Sequence, residues 1–292
     1  MIVRTLENLP SYEHDIGYQP VTQPGQTACV STPPAEGARV AWLDVPQPVR
    51  AAIERICGSC VIEAQTQPGG FSPGVAARPS TGLWFALVID DLSGRQPDIP
   101  WQNGQLDLVL AAVGKLAETL TGVSVEAPAI SEYLGDDFTG WRKLSGKPSD
   151  DRIDPWSRVH LAELAALEAT WAAHAGGDTL LHADIRADNL LLTDSGVMVV
   201  DWPHACRGAA FTDLVFFTPS VAMQGGPEPA ALLARSPAGQ DADPDAVRAV
   251  VCALAGYFTE RSLAPPPPGL PTVRRFQAAQ AEVARRWLAG ML

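Results

Sequence analysis

The sequence predicts an α+β fold in which a small, strand-rich front part precedes a larger, mainly helical back part. Three observations support this class. Short apolar runs bounded by glycine and proline occupy the front part, three- and four-residue apolar periodicity begins near residue 104, and two short apolar runs joined by a Thr-Asp-Ser-Gly turn interrupt the helical part. We therefore expect a loose extension over residues 1–40, a front domain over 41–92 and a helical domain over 93–292.

Composition limits the classes of partner. The chain has 292 residues and a formal net charge of -12, so its surface repels nucleic-acid phosphates and anionic membranes. An acidic surface suits a cationic small molecule, although many soluble proteins are acidic for solubility alone. The sequence has no long apolar run and no secretory signal, so the chain is expected to be cytoplasmic. Its five cysteines are therefore expected to be reduced thiols, and the Cys57-x-x-Cys60 pair is interpreted as structural.

The front part is predicted from short patterns. Apolar residues on one face indicate a helix over residues 48–56, and residues 61–65 are typical of a strand. A glycine-rich turn follows, and the apolar run 84–89 is interpreted as a buried strand.

The helical part shows clearer start signals. Leu106, Leu110 and Val113 recur at helical spacing. Asp154-Pro155 and Asp243-Pro244 each combine an N-cap residue with a proline at the first helical position. A final amphipathic helix is expected from about Thr272, and short strands are expected over residues 179–181, 190–192 and 197–200.

One motif carries most of the chemical information. In LLHADIRADNLLLTDSGVMVVDW, His182, Asp184, Asn189 and Asp201 follow one another at fixed steps. Phosphoryl transfer needs a carboxylate that orients or accepts the proton of the substrate hydroxyl, together with oxygen ligands that hold Mg²⁺ against the phosphates. A loop after one strand presents Asp184 and Asn189, and a hairpin returns Asp201 beside Asn189. The spacing therefore predicts one magnesium–nucleotide pocket.

With these residues the chain resembles the aminoglycoside phosphotransferase family, which is related to the protein kinases. The resemblance covers roughly residues 41–292 and implies a protein-kinase-like, two-lobed fold. It implies that Asp184 is the catalytic base, that Asn189 and Asp201 are magnesium ligands, and that ATP and Mg²⁺ are the cofactors of transfer to a small-molecule hydroxyl. His182 would brace the loop, and Asp213 would tie it down from a helix start.

The resemblance also gives roles to residues of the front part. A glycine-rich loop would bring backbone N–H groups to the ATP phosphates, and the connection after the next strand would meet the adenine. The residues assigned to nucleotide binding in this way are Gly69, Gly70, Ser72, Gly74, Asp91 and Leu92. The two acids at 90 and 91 are equally well explained as ordinary strand-end residues.

One departure from the family pattern bears on activity. The family places a phosphate-gripping lysine on a strand after the glycine loop, whereas the three lysines of this chain, Lys115, Lys143 and Lys147, all follow residue 92. Much of the front lobe is therefore expected to be missing. The leading hypothesis is an ATP-dependent phosphotransferase impaired by this loss, and the alternative is an inactive, pseudokinase-type binding protein. A metal-dependent hydrolase is a weaker third hypothesis because no further His/Asp cluster accompanies the motif.

Overall fold

A computed structural model describes residues 2–5, 41–65, 93–147 and 150–292, and in these residues the fold is α+β, as predicted. The strands are β1 (Ile2–Thr5), β2 (Val61–Gln65), β3 (Thr179–Leu181), β4 (Leu190–Thr193), β5 (Gly196–Val199) and β6 (Cys206–Gly208). The helices are α1 (Gln47–Cys57), α2 (Asn103–Thr119), α3 (Ile130–Tyr133), α4 (Gly140–Ser145), α5 (Pro155–Glu168), α6 (Trp171–His174), α7 (Thr212–Met223), α8 (Pro229–Leu233), α9 (Pro237–Gln240), α10 (Pro244–Ser262) and α11 (Val273–Ala289). The chain divides into two compact units, Met1–Asp91 with Pro267–Pro271, and Leu92–Pro266 with Thr272–Leu292.

The described part of the first unit contains one short 3-10 helix (Trp42–Asp44), one α-helix and one strand pair. Helix α1 is capped at its C-terminal end by Gly58, whose φ of 72° suits glycine, and strand β2 follows as predicted. Strand β1 pairs antiparallel with β2, with Ile2 opposite Gln65. For residues 2–5 this differs from the predicted loose extension, because four residues are too few to show an alternating pattern. The predicted strand 84–89 lies outside the described residues.

The second unit is built around helix α10, which packs against α4, α5, α6, α7 and α11. Trp141, Leu164 and Val250 are fully buried in this core. Both predicted caps are present, since the side chain of Asp154 accepts a hydrogen bond from the N–H of Ser157 and that of Asp243 accepts one from Asp245. Helices α2, α10 and α11 also occur where the sequence predicts them, whereas the helix predicted to run from Asp154 to the glycines at 176 and 177 is divided into α5 and α6. Among the described helices none has the length and apolar character needed to cross a membrane.

A second, smaller core lies beneath the motif. Leu106 and Val109 of α2 and Phe217 of α7 are buried together with Ile185 and Leu190 from the motif itself. Strands β4 and β5 form the predicted hairpin, with Leu190 opposite Val199. The apolar residues of the motif are thus packed in this core, and that packing fixes the direction of the polar side chains between them.

Candidate active site

The loop after β3 separates apolar and polar residues by simple alternation. Ile185 and Ala187 are buried in the second core, whereas Asp184, Arg186 and Asp188 remain partly exposed. Arg186 has extended backbone angles, with φ of -148° and ψ of 165°. In an extended chain alternate side chains lie on the same side, so the apolar residues anchor the loop and present the three charged residues together.

Asp213, in the first turn of α7, holds the start of this loop. Its two carboxylate oxygens accept hydrogen bonds from the backbone N–H groups of His182, at 2.8 Å, and Ala183, at 2.7 Å. Burial raises the pKa of Asp213, and the two N–H donors oppose that rise. Ala183 has a φ of 60°, a left-handed conformation that an alanine seldom adopts. The buried carboxylate therefore holds a strained turn directly before Asp184, in the tethering role that the family resemblance implies for it.

His182 connects this loop to the end of β5. Its Nδ1 accepts a hydrogen bond from the N–H of Asp184 at 3.2 Å, and its Nε2 lies 2.9 Å from the carbonyl oxygen of Val200. Because a carbonyl oxygen can only accept, Nε2 carries the proton and donates it. The ring of Trp202 packs edge-on against the imidazole, with centroids 4.7 Å apart. His182 is thus placed to brace the loop, as the sequence suggests.

Asp184 lies at the centre of a charged hydrogen-bond network. The Nη1 of Arg186 donates to both of its carboxylate oxygens, at 2.6 and 2.7 Å. The side-chain amide of Asn189 donates to the backbone oxygen of Asp184 at 2.9 Å and approaches its Oδ2 at 3.4 Å. Burial raises the pKa of Asp184, while the charge of Arg186 acts in the opposite direction. Its side chain is still 28% exposed, so a substrate hydroxyl can reach it.

Arg186 has a larger role than the sequence suggests. Besides Asp184, its Nε and Nη2 donate to the two carboxylate oxygens of Asp188, each at 3.0 Å. The guanidinium group therefore bridges two carboxylates and also lies over the ring of Phe276, 6.0 Å from the centroid. The signal was present in the Asp-x-Arg-x-Asp alternation, because an extended loop places all three side chains on one side.

Asn189 and Asp201 are brought together by the hairpin. The N–H of Val200 donates to the backbone oxygen of Asn189 at 3.0 Å, which extends the β4–β5 ladder by one pair and places Asp201 at its open end. Asp201 is exposed and has a left-handed φ of 66°. A non-glycine residue held in this region is often found at functional sites.

The donor set of these two residues suits a hard cation. The amide nitrogen of Asn189 is directed toward Asp184, which leaves its oxygen as the free end, and Asp201 contributes a carboxylate. Mg²⁺ prefers such oxygen ligands and needs few of them from the protein. Within the described ranges no group of three or more His, Cys, Asp and Glu side chains is placed to hold a metal.

The residues predicted to bind the nucleotide are not among those that the structure describes. Gly69, Gly70, Ser72, Gly74, Asp91 and Leu92 all lie outside the described residues. Their assignment remains a prediction. In the described part of the chain Asp184 and Asn189 are in contact, and Asp201 follows Val200, the residue paired with Asn189.

Comparisons with known proteins indicate the same kind of family as the motif does. The model of the phosphotransferase enzyme family matches residues 67–250, well over half of the chain. A candidate aminoglycoside phosphotransferase from Ralstonia eutropha JMP134 is 15% identical, with 68% of this chain and 72% of that one covered and a TM-score of 0.42. A glucosamine kinase is 17% identical, with 64% and 50% covered and a TM-score of 0.27. A search of curated proteins found no match. At these TM-scores both structural resemblances are remote, whereas the family model accounts for most of the chain.

Proposed function

The chain belongs to the phosphotransferase enzyme family, and from that premise we propose that it transfers the terminal phosphoryl group of ATP to a hydroxyl group of a small molecule. Asp184 accepts or orients the proton of the acceptor hydroxyl. The hydroxyl oxygen forms a bond to the γ-phosphorus, the bond from that phosphorus to the β–γ bridging oxygen breaks, and ADP leaves.

One observation carries this proposal. The carboxylate of Asp184 is held by Arg186 at 2.6 and 2.7 Å, and the side chain of Asn189 contacts the same residue. A carboxylate oriented by an arginine and a neighbouring amide, at the edge of a packed core, can receive a proton in a fixed direction.

Arg186 would keep Asp184 in its ionised form. Burial disfavours the charged carboxylate, and a general base has to be ionised to accept a proton. The guanidinium group supplies the compensating charge and leaves acceptor capacity on the carboxylate, since each oxygen has two lone pairs.

Asn189 and Asp201 would hold the magnesium ion. Bound there, Mg²⁺ would neutralise the charge of the ATP phosphates. The glycine-rich segment with Gly69, Gly70 and Gly74 is proposed to cover those phosphates, on the strength of its order along the chain.

The acceptor is proposed to be a small, preferably cationic molecule. The net charge of -12 favours positively charged compounds over anionic ones. Amines that carry hydroxyl groups, including aminoglycosides and amino sugars, are therefore the first acceptors to test.

A non-catalytic function is the second candidate, and the distribution of lysines favours it. Lys115 pairs with Glu118 at 3.4 Å, Lys143 donates to the carbonyl oxygen of Asp136 at 3.3 Å, and no lysine precedes residue 93. A kinase-type site without its phosphate-binding lysine loses about 4 kcal/mol of charge stabilisation, estimated at 4 Å and an effective dielectric of 20.

The test is phosphoryl transfer from Mg·ATP to a panel containing kanamycin A and D-glucosamine. Asp184→Asn should reduce transfer at least a hundredfold, because the amide cannot accept the proton. Asp194→Asn is the matched control, since Asp194 is exposed in the hairpin turn and should leave transfer unchanged. Equal ATP consumption by the wild type and Asp184→Asn would contradict the proposal, and ATP binding without any turnover would favour the non-catalytic function.

A further inference from the structure

Asp188 is the one member of the charged network around Arg186 to which the proposed function gives no part. Its two carboxylate oxygens accept hydrogen bonds from Nε and Nη2 of Arg186, each at 3.0 Å. These two nitrogens form one edge of the planar guanidinium group, and paired bonds along such an edge are the most directional contact that an arginine makes with a carboxylate. The side chains of Arg186 and Asp188 are only 14% and 18% exposed. Asp188 therefore decides which edge of the guanidinium group faces it.

The backbone of Asp188 is fixed on several sides. A single turn of 3-10 helix, Ala187–Asn189, follows Arg186, and the N–H of Asn189 donates to the carbonyl oxygen of Arg186 at 3.0 Å. Ala187 is buried in the second core. The side-chain amide of Gln96 donates to the carbonyl oxygen of Asp188 at 3.2 Å. A short side chain on a fixed backbone has few conformations, whereas an arginine side chain has many, so Asp188 orients Arg186 rather than the reverse.

This orientation determines how Arg186 meets Asp184. Because Nε and Nη2 are bonded to Asp188, Nη1 makes the contact with Asp184, at 2.6 and 2.7 Å from its two oxygens. The buried ring of Phe276 lies against the guanidinium group, 6.0 Å from its central carbon to the ring centroid, and limits its movement out of plane. Without Asp188, the guanidinium group could turn its two-donor edge to Asp184, which is the arrangement that a carboxylate binds most strongly. The carboxylate of Asp184 would then be held in a different direction.

We propose that Asp188 is a positioning residue for phosphoryl transfer: it holds Arg186 so that Nη1 contacts Asp184 and the carboxylate keeps the direction in which it receives the hydroxyl proton. This inference rests on the proposed function, in which Asp184 is the base. Asp188 touches neither substrate in this role and acts through Arg186. Its effect on turnover therefore requires that Arg186 be present.

The test is a double-substitution cycle with Asp188→Asn and Arg186→Gln, in which kcat and KM are measured for transfer from Mg·ATP to kanamycin A and D-glucosamine. Asparagine has nearly the shape of aspartate but offers one acceptor oxygen and no charge. Asp188→Asn should lower kcat about tenfold and change the KM values for acceptor and Mg·ATP less than threefold, because a misdirected base slows transfer without weakening binding. In the Arg186→Gln background the same substitution should change kcat less than twofold.

Asp245→Asn is the matched control. Asp245 also accepts a hydrogen bond from an arginine, Arg248, at 2.8 Å, but this pair lies on the surface of α10. The substitution removes a carboxylate from an aspartate–arginine contact of the same kind and should leave kcat unchanged.

Three kinetic results would overturn the inference. The first is a wild-type kcat in Asp188→Asn, and the second is an equal fall in kcat with and without Arg186. The third is a raised KM for Mg·ATP at an unchanged kcat, which would show that Asp188 acts through its neighbour Asn189 instead.

A crystal structure of Asp188→Asn gives a readout that does not depend on turnover. The guanidinium group of Arg186 should turn so that two of its nitrogens bond to Asp184. A contact that still runs through Nη1 alone would overturn the inference whatever the rates are. The proposed function fails on a different result, namely equal ATP consumption by the wild type and Asp184→Asn.

Discussion

Replacing Asp213 with asparagine tests how the loop that carries Asp184 is held. The side chain is buried and accepts N–H groups from His182 and Ala183 at 2.8 and 2.7 Å. Asparagine keeps one acceptor oxygen but turns an NH₂ group toward the other N–H. One hydrogen bond to a charged group, worth about 1.5 to 3 kcal/mol, is lost, and one buried donor is left without a partner. Removing a buried charge recovers part of this cost, so we expect Asp213→Asn to lower the free energy of unfolding by about 2 to 4 kcal/mol.

The same substitution should also lower turnover. The positive φ of Ala183 costs about 1 to 2 kcal/mol, and without its tether the turn is expected to relax and displace Asp184. A displacement of roughly 1 Å can lower turnover about a hundredfold. Unfolding would be followed by tryptophan fluorescence in urea and turnover by phosphoryl transfer, with the exposed Asp178→Asn as control. Ala183→Gly in the Asp213→Asn background should restore part of the activity, because glycine adopts positive φ without steric cost. Wild-type stability together with wild-type kcat in Asp213→Asn would refute the reasoning.

Three further changes test the core and the charged network. Burial raises the pKa of Glu168 above its ordinary 4.5. The contribution of Glu168 to stability is therefore present at low pH and is lost as the pH rises through its folded pKa. Glu168→Gln should remove this fall in stability, as measured by urea unfolding from pH 4 to 7. Gly256→Ala would place a methyl group 2.5 Å from Oε1 of Glu168 and 2.7 Å from Cδ1 of Trp141. It should lower the free energy of unfolding, measured in urea, by about 3 kcal/mol. Gly104→Ala is the control, because Gly104 lies in α2 with open space around it and its substitution should not lower the free energy of unfolding. Arg186→Gln leaves the partly buried carboxylates of Asp184 and Asp188 without their shared cation. It should lower the free energy of unfolding by about 2 kcal/mol and the rate of phosphoryl transfer at least tenfold. Unchanged values of both would contradict the bridging role of Arg186.

The sequence predicted those elements whose signals are local. The caps at Asp154 and Asp243 and the periodic faces of α2 and α11 each mark a helix without reference to the rest of the chain. Helix α7 shows no such face, because every residue from 212 to 221 is buried, and a helix that is apolar on all sides lacks the periodicity that would reveal its bounds. Strand β6 has only three residues and exists because it pairs with β3, so its signal lies in the partner.

The placement of the motif residues could also be predicted from the sequence, because their signals are local. Asp184, Asn189 and Asp201 lie within 18 positions of one another, and a strand, a loop and a hairpin determine their approach. The bridging role of Arg186 was also encoded locally, in the alternation around it. The bond from Gln96 to Asp188 was not, because it depends on the antiparallel approach of Arg95 to Leu192 in β4, which no pattern near either residue specifies.

The loop that carries Asp184 gains its geometry from strain balanced by buried hydrogen bonds. In the part of the chain that the structure describes, Ala183 and Asp201 are the two non-glycine residues with positive φ. His182 is the neighbour of Ala183 in the chain, and its side chain bonds to the backbone of Val200, the residue before Asp201. Each strained residue is thus next to a group that the core holds in place, at a cost of about 1 to 3 kcal/mol that the fold must offset. All of these contacts lie in the second unit. Since the glycine-rich segment is proposed only to cover the ATP phosphates, we expect substitutions in it to alter the KM for ATP far more than the position of Asp184. Comparing the ATP KM with the acceptor KM across substitutions at Gly69 and Gly70 measures that separation, and an equal rise of both constants would show that the loop depends on the front part after all.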